Sequence, residues 1–309
     1  MAAIDDHSFI KIFESVGPQE TAKRLGIHIR KVYQRRENLE RRHGIQITGP
    51  ASTTRCHVSH PHRITESLRN GTILIGSDCH YWPGIVTDAH KTFVQFAKSL
   101  KPDFIVMNGD VLDGSRVSRH APIGWENRPS LIDEVDACKE RLGEIEKASP
   151  KSKRLWTLGN HDGRFETRLA TVAPEYARIN GVHLKDHFPG WKACWSFWLN
   201  DIVIKHRFRG GDHATWQNVM RSGKSIITGH LHSLQIRPYT DYLGTRFGID
   251  GGTLADPEGP QFVDYTEDNP KNWRAGFVLL TIQDGQLAWP EAIWVVNGKY
   301  HWRGKICPI

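Results

Sequence analysis

Five short segments of this chain each place a side chain suited to metal coordination at the end of a predicted strand. In chain order they read Ser77-Asp78-Cys79-His80, Asn108-Gly109-Asp110, Gly159-Asn160-His161-Asp162, Lys205-His206 and Gly229-His230-Leu231-His232. Packing alone does not require such a set, because buried polar groups are costly unless they find partners. The segments offer enough carboxylate, amide and imidazole ligands for two cations that share one carboxylate. Such a pair is suited to phosphate-ester hydrolysis.

The elements that must position these residues are short apolar strands that alternate with helices. We expect strands at 72–75, 104–107, 155–158, 202–204 and 225–228, and helices at 87–100 and 131–147. This alternation predicts an α/β fold. Asp78 and His80 are two apart on an extended segment and therefore point to one face. Because ligands of open α/β sheets bind at the carboxyl ends of strands, all five segments can converge there.

In this order the five segments resemble the motifs of the calcineurin-like metallophosphoesterase family, over roughly residues 72–255. The resemblance implies a β-sandwich flanked by helices and a metal-dependent phosphoesterase with a dinuclear site. The implied ligands are Asp78, His80, Asp110 and His232 for the first metal, and Asp110, Asn160, His206 and His230 for the second, with Asp110 bridging. His161 would not be a ligand. It would neutralise the leaving oxygen and would be oriented by Asp113 or Asp162.

The mixed ligand set also limits the metal. Imidazole with carboxylate and amide oxygen suits Mn, Fe or Zn better than Mg or Ca, which prefer oxygen ligands only. We expect two divalent ions, with Mn first and Fe or Zn as alternatives. They would clamp the attacking and leaving oxygens and would supply a bridging hydroxide at neutral pH.

Two positions depart from the family pattern. The isolated histidine is often followed by Gly, but Arg207 follows His206 here, and His213 is a rival for the same ligand position. We favour His206 because it ends a strand. Gly114 follows Asp113, where protein Ser/Thr phosphatases commonly carry Arg, and this argues against the phosphoprotein branch.

Basic residues near the second and third segments are candidates for binding the substrate. They are Arg116, Arg119, His120 and Arg164. A guanidinium group offers a bidentate fork to phosphate, so these residues could line a phosphate pocket. A solvated basic surface is the alternative for each of them.

The N-terminal residues 1–48 predict a small all-α module. We expect helices at 8–15, 19–25 and 28–42, with Gly17-Pro18 between the first two. The stretch from Glu20 to Val32 resembles a helix-turn-helix. Residues 20–42 carry eight Lys or Arg against three Glu, a net charge of +5. The residues expected to face DNA are Arg30, Lys31, Gln34 and Arg35. A dimerisation or docking element is the alternative.

Composition sets the wider bounds. The 309 residues are 39% hydrophobic and carry a formal net charge of +7, which permits a sizeable core and suits a polyanionic partner. The five cysteines are scattered without C-x-x-C pairs, which argues against a disulfide framework. We find no signal peptide and no run of about 18 apolar residues, so we expect no membrane span and a cytoplasmic location. We expect a module at 1–48, a linker at 49–70 and a catalytic domain at 71–309.

The combined prediction is a phosphoesterase that hydrolyses phosphodiesters, with DNA as the expected substrate. The preference for nucleic acid depends on the basic N-terminal module, since the five segments serve mono- and diesters alike. This combination resembles that of phage genes. Two alternatives are a phosphatase or cyclic-nucleotide phosphodiesterase for small substrates, and a DNA-binding regulator with an inactive phosphoesterase scaffold.

Overall fold

The chain divides into two compact units. The first comprises residues 1–58 and 169–179, and the second comprises residues 59–168 and 180–309. The computed structural model describes residues 4–43, 45, 47–50, 60–120, 125–262, 266, 269 and 271–309.

The described elements are numbered in chain order. The helices are α1 (Asp6–Leu25), α2 (Ile29–His43), α3 (Asp88–Leu100), α4 (Leu131–Ala148), α5 (Arg164–Val172), α6 (Leu184–His187) and α7 (Ala214–Ser222), with 3-10 turns at Ser115–Val117 and Pro174–Arg178. The strands are β1 (Ile64–Glu66), β2 (Gly71–Gly76), β3 (Phe104–Met107), β4 (Lys153–Thr157), β5 (Lys192–Cys194), β6 (Phe197–Leu199), β7 (Ile202–Ile204), β8 (Ser225–Thr228), β9 (Gln235–Asp241), β10 (Gly244–Asp250), β11 (Gly276–Gln283), β12 (Gln286–Leu287), β13 (Glu291–Val296), β14 (Lys299–Trp302) and β15 (Lys305–Pro308).

Alternation along the central strands explains why two sheets stack in the second unit. In β2, Ile73 and Ile75 belong to the core between the sheets, whereas Leu74 belongs to the core under the helices. Successive side chains of a strand point to opposite faces, so a strand that is apolar throughout must be covered on both sides.

The sheets have mixed topology. One runs β1-β6-β7-β8-β10-β9, and the other runs β15-β14-β13-β11-β2-β3-β4-β5, with β12 paired to β11. Helices α3 and α4 contribute Phe93, Phe96 and Leu142 to the core on the outer face of the larger sheet. Val219 of α7 packs on the smaller sheet against Val203 and Ile226. The predicted α/β architecture, a β-sandwich flanked by helices, is therefore confirmed.

Most predicted elements of this unit are present, with one exception in the expected linker. Strands β3, β7 and β8 have the predicted bounds, and the region after residue 235 is rich in strands. Ile64–Glu66, however, form an edge strand that pairs in parallel with Phe197–Leu199. The predicted linker at 49–70 thus includes residues that belong to the sandwich, while its residues 51–59 lie outside the described part.

The first unit contains the predicted N-terminal helices. Gly17 interrupts α1 with a left-handed φ of 75°, which a residue without Cβ adopts readily, and Pro18 follows it. Gly26 ends α1 in the left-handed conformation. A small core joins α1 and α2. Its buried residues are Phe9, Phe13, Val32, Leu39 and Ile47.

Candidate metal centre

The loops that follow β2, β3, β4, β7 and β8 meet at one place in the sandwich. The backbone N–H of Asp78 donates to Gly109 O at 2.9 Å, and that of His230 donates to Asp78 Oδ2 at 2.9 Å. The N–H of Gly229 donates to His206 O, also at 2.9 Å. Segments far apart in sequence are thus fixed to one another by hydrogen bonds that main-chain N–H groups donate.

Five of the predicted ligands have left-handed backbones. The φ angles are 51° at Asp78, 40° at His80, 50° at Asp110, 75° at His230 and 55° at His232. This region is unfavourable for residues with a Cβ and costs about 1–3 kcal/mol each, so it persists only where surrounding contacts impose it. Such strain is concentrated at functional sites.

The predicted ligands form two groups of three. Ligand atoms of Asp78, His80 and His232 lie within 4.8 Å of one another, and so do those of Asp110, His206 and His230. We call these groups the first triad and the second triad. His80, Asp110 and His161 satisfy the same distance, so Asp110 lies at the junction between the triads.

Several buried polar atoms at this junction have no hydrogen-bond partner. They include His80 Nε2, His206 Nε2 and Asn160 Oδ1. His206 Nε2 lies 3.0 Å from Asp110 Oδ2, but the pair is not aligned as a hydrogen bond. Unpaired buried polar atoms are rare in folded proteins, and here they converge beside carboxylates. The residues therefore fit a divalent cation.

The opposite nitrogens of the same two rings are held by the protein. His80 Nδ1 lies 2.9 Å from Asp113 Oδ1, and His206 Nδ1 lies 2.8 Å from Asn108 O. These contacts fix each ring so that Nε2 faces the junction, as is usual for metal-binding histidines. Gly109 permits the second contact, since a Cβ there would lie 2.3 Å from His206 Nδ1.

The carboxylates make the junction strongly attractive to positive charge. Burial opposes ionisation of Asp110, but His206 outweighs this and holds the pKa of Asp110 well below its usual value. Burial likewise opposes protonation of His206, yet Asp110 and Asp78 raise its pKa to about 10. Burial and the charge of His206 lower the pKa of His230 to about 4, and Arg207 adds to the effect.

His161 lies beside the triads but has a different environment. Its Nδ1 is 3.0 Å from Asp113 Oδ1, and Arg164 Nη2 lies 3.1 Å from its Nε2. Both ring nitrogens are therefore engaged, unlike those of His80 and His206. Burial opposes protonation, but the hydrogen bond to Asp113 and the charge of Asp110 raise the pKa of His161 above its usual value.

Asp162 does not orient His161, which corrects one of the two predicted orientations. Its buried carboxylate accepts five N–H groups instead. The donors are the backbones of Asp110, Val111, Leu112 and Gly159 and the indole of Trp156, at 2.8–3.2 Å. Burial and the charge of Asp110 raise the pKa of Asp162 to about 6 despite these bonds. Asp162 holds the loop that carries Asp110, and Asp113 contacts His161.

Glu134 was not expected from the sequence. It is fully buried in α4 and accepts hydrogen bonds from the Gly114 N–H, at 2.6 Å, and from Ser115. It thereby anchors the loop that follows Asp113. Burial is the main cause that raises the pKa of Glu134 to about 7. In sequence it is one acidic residue in an amphipathic helix, so only the loop contact distinguishes it.

A cleft of about 630 Å³ opens over the triads. Of the predicted substrate-binding residues, His120 and Arg164 line it. Arg116 is instead exposed and donates to the carbonyl oxygens of Arg128 and Pro129, and Arg119 is exposed beside His120. The lining also contains Arg128, Phe262 and Trp273, which lie too far along the chain from the motifs to be expected.

The two histidines that are candidates for one ligand position differ in exposure and in location. His206 is 1% exposed and belongs to the second triad. His213 is exposed at the start of α7 and lines a different, smaller cleft.

The predicted DNA-facing residues all lie on α2 of the first unit. Arg30, Lys31 and Gln34 are exposed. Arg35 is partly buried, and its Nη2 lies 3.0 Å from Asp6 Oδ1 and donates to Ile4 O at 2.6 Å. Three of the four side chains are thus open to solvent, while Arg35 links the two helices.

None of the helices in the described residues has the length and apolar composition needed to cross a membrane. The fold and the paired triads define a metal-dependent hydrolase of phosphate esters. The profile of the calcineurin-like phosphoesterase family matches residues 71–244, more than half of the chain. The chain therefore belongs to the calcineurin-like phosphoesterase family, whose members use divalent metals.

Similar proteins include two from phages. The Gene 54 protein of Mycobacterium phage L5 is 27% identical over 243 residues, which cover 70% of this chain and 91% of that protein. The Gene 54 protein of Mycobacterium phage D29 is 26% identical with the same coverage.

Two solved structures also align with the chain. Vps29 of Entamoeba histolytica, complexed with Zn²⁺, aligns with a TM-score of 0.40 and 12% identity over 77% of this chain and 98% of that one. The phosphoesterase YfcE of E. coli aligns with a TM-score of 0.32 and 17% identity over 71% of this chain and 97% of that one.

Proposed function

We propose that the protein hydrolyses phosphodiesters in nucleic acid, with DNA as the substrate. The observation that carries the catalytic part is the pair of triads that meet at Asp110 beside a histidine fixed by Asp113. The preference for nucleic acid is supported by the exposed basic face of α2. Residues 1–48 would act as the DNA-binding module, and residues 71–309 as the catalytic domain.

Each predicted ligand has a proposed place. Asp78, His80, Asp110 and His232 would hold one divalent ion, and Asp110, Asn160, His206 and His230 would hold another. When bound, such a pair supplies Lewis acidity and hydroxide at neutral pH. Imidazole together with oxygen favours Mn, with Fe or Zn as alternatives. The neutral amide of Asn160 limits the negative charge of the site, so an anionic phosphate is repelled less.

His161 would protonate the leaving oxygen. Asp113 accepts from Nδ1, which fixes the ring and stabilises its protonated form, so that Nε2 can donate into the cleft. Arg164 now contacts Nε2 and lines the same cleft. Its guanidinium would turn to a phosphate oxygen when substrate binds, which releases Nε2 for proton transfer.

A comparison of two chromogenic esters tests the reaction class. We expect faster hydrolysis of bis-p-nitrophenyl phosphate than of p-nitrophenyl phosphate with Mn²⁺, and loss of both activities after chelation. Preference for the monoester would favour a small-substrate phosphatase. If neither ester is hydrolysed while the chain binds DNA, the protein is a DNA-binding regulator on an inactive scaffold.

The four described cysteines support a reducing location. Cys79, Cys138, Cys194 and Cys307 form no disulfide, and the first three are buried. We therefore place the reaction in a reducing compartment, which we propose is the cytoplasm.

A further inference from the structure

The loop after β7 carries positive charge directly after a residue of the metal centre. His206 ends this strand and belongs to the second triad, and the next three residues are Arg207, Phe208 and Arg209. Both arginines are exposed, and neither makes an ion pair within the described part of the chain. Phe208 between them is 43% exposed, and Lys205 Nζ lies 5.5 Å from its ring centroid.

The loop is fixed despite its exposure. The N–H of Arg209 donates to Asn218 Oδ1 of α7 at 3.1 Å, and the N–H of Ala214 donates to Gly211 O at 2.9 Å. Asn218 is buried and also bonds to Thr228 at the end of β8. The exposed cations and the aromatic ring between them are therefore presented on a supported backbone.

The loop leads into a second cleft of about 310 Å³. Its lining residues are Asp212, His213, Thr215, Trp216, Gln235 and Arg237. Trp216 is 46% exposed, and Arg237 is exposed and unpaired among the described residues. Asp212 is the one acidic residue of the lining. Seven loop residues span at most roughly 25 Å, so this cleft lies within a few nucleotides of the metal centre.

We infer that Arg207, Phe208, Arg209, Trp216 and Arg237 form a track that binds a single nucleic-acid strand leading away from the cleavage site. Exposed cations without ion-pair partners in the described residues suit phosphates, and exposed aromatic rings stack on bases. Stacking requires unpaired bases, which a duplex does not offer. The track rests on the proposed nuclease function and adds to it a strand contact made by the catalytic unit itself.

Fluorescence anisotropy with a labelled oligothymidylate of about 12 nucleotides tests this track, since sites of this kind cover roughly 4–16 nucleotides. A His161→Ala background is expected to slow cleavage about a hundredfold or more during the measurement. We expect Arg207→Gln and Arg209→Gln each to reduce the dependence of log K on log salt concentration by about 0.7. Phe208→Ala should weaken binding by about fivefold or more. The matched control is Arg221→Gln, an exposed arginine at the opposite end of α7 that forms no ion pair with any residue the structure describes. It should bind within about twofold of the parent.

A second series separates the track from the N-terminal helices. The same substitutions are made in a chain that also carries Arg30→Gln and Lys31→Gln. The differences in affinity and salt dependence between each track variant and its parent should persist. Affinities equal to the parent for Arg207→Gln and Phe208→Ala would overturn the track. If Phe208→Ala weakens binding to a duplex of the same length as much as binding to the single strand, the single-strand assignment is overturned. Anisotropy measures binding and does not require turnover. Absence of hydrolysis would therefore contradict the proposed reaction, whereas the track is tested by the binding measurements alone.

Discussion

The metal centre and the N-terminal unit hold their functional residues in different ways. In the centre, Asp78, Asp110 and His206 are at most 1% exposed, and each is contacted by segments distant in sequence. On α2, Arg30 and Lys31 point into solvent above a small apolar core. In the metal centre, the direction of each ligand side chain and its distance from the others are fixed. In the N-terminal unit, only the helix face that carries the positive charge is fixed.

This difference determines how far chemistry can be inferred from each region. Converging ligands with partnerless buried atoms indicate a bound cation, because unpaired buried polar atoms require a partner. An exposed basic helix suits any polyanion, and its contribution is reduced by salt. Substitutions should therefore have large, discrete effects in the centre and graded, salt-dependent effects on α2.

Asp110→Asn should give the largest loss. Asp110 is the proposed bridging ligand of the two ions, so removing its charge should weaken both proposed ion sites. Residues that only support metal ligands typically contribute about 10- to 100-fold, so we expect turnover of bis-p-nitrophenyl phosphate to fall by more than about a hundredfold. The control is His213→Ala, an exposed histidine outside both triads. Equal losses of turnover in Asp110→Asn and His213→Ala would contradict the expectation that buried residues of the centre matter more than exposed ones.

His161→Ala should reduce turnover by about a hundredfold or more, the scale of a lost general acid. Because His161 is proposed as a proton donor and not a ligand, metal content measured by elemental analysis should remain that of the wild type. Asp113→Asn should shift the alkaline limb of the pH–rate profile to lower pH, since Asp113 stabilises the protonated ring that acts as the acid. Loss of metal in His161→Ala would instead make His161 a ligand.

Glu134→Gln tests the support beneath the centre. Burial raises the pKa of Glu134 from 4.5 to about 7. The fold therefore favours the protonated acid, whose contribution is fully present below pH 4.5 and is lost as pH rises through 7. The unfolding free energy of the wild type relative to Glu134→Gln should fall by up to roughly 3 kcal/mol over this range, at about 1.36 kcal/mol per pH unit. Urea unfolding of both proteins at several pH values measures this difference in unfolding free energy.

The matched control for this pH dependence is Glu258→Gln, whose side chain is 82% exposed. It should track the wild type across the same range. A constant difference between wild type and Glu134→Gln from pH 4.5 to 7 would show that folding leaves the pKa of Glu134 unshifted.

Arg30→Gln with Lys31→Gln should have the smallest effect. Duplex DNA binding should lose about 0.9 of its logarithmic salt dependence for each phosphate contact removed. Turnover of the small diester should change far less than DNA affinity. Binding titrations at several salt concentrations measure this. An unchanged salt dependence would point to the dimerisation or docking alternative for these helices.

Much of the fold follows from local patterns. Apolar runs with abrupt ends predict β3, β7 and β8 with their observed bounds, because strands between two layers must be apolar on both faces. Ile64–Glu66 could not be recognised in this way. That strand is three residues long and partly exposed, and its partner Phe197–Leu199 lies more than 130 residues later.

Some residues of the site could be predicted from local sequence motifs, whereas others are recognised only from contacts between distant segments. Motif order predicts the residues of both triads, since each stands at a strand end. The roles of Asp113 and Asp162 could not be separated, because each lies in or just after a motif segment and only the fold shows which carboxylate contacts the ring of His161. Phe262 and Trp273 enter the cleft from a distant segment, and no local pattern marks them.

Metal stoichiometry tests the central claim most directly. Isothermal titration of metal-free protein with Mn²⁺ should give about two ions per chain for the wild type and about one or fewer for Asp110→Asn, because we propose that this carboxylate bridges both ions. His213→Ala should retain both ions. A wild-type stoichiometry of one, or two ions retained by Asp110→Asn, would contradict the paired site.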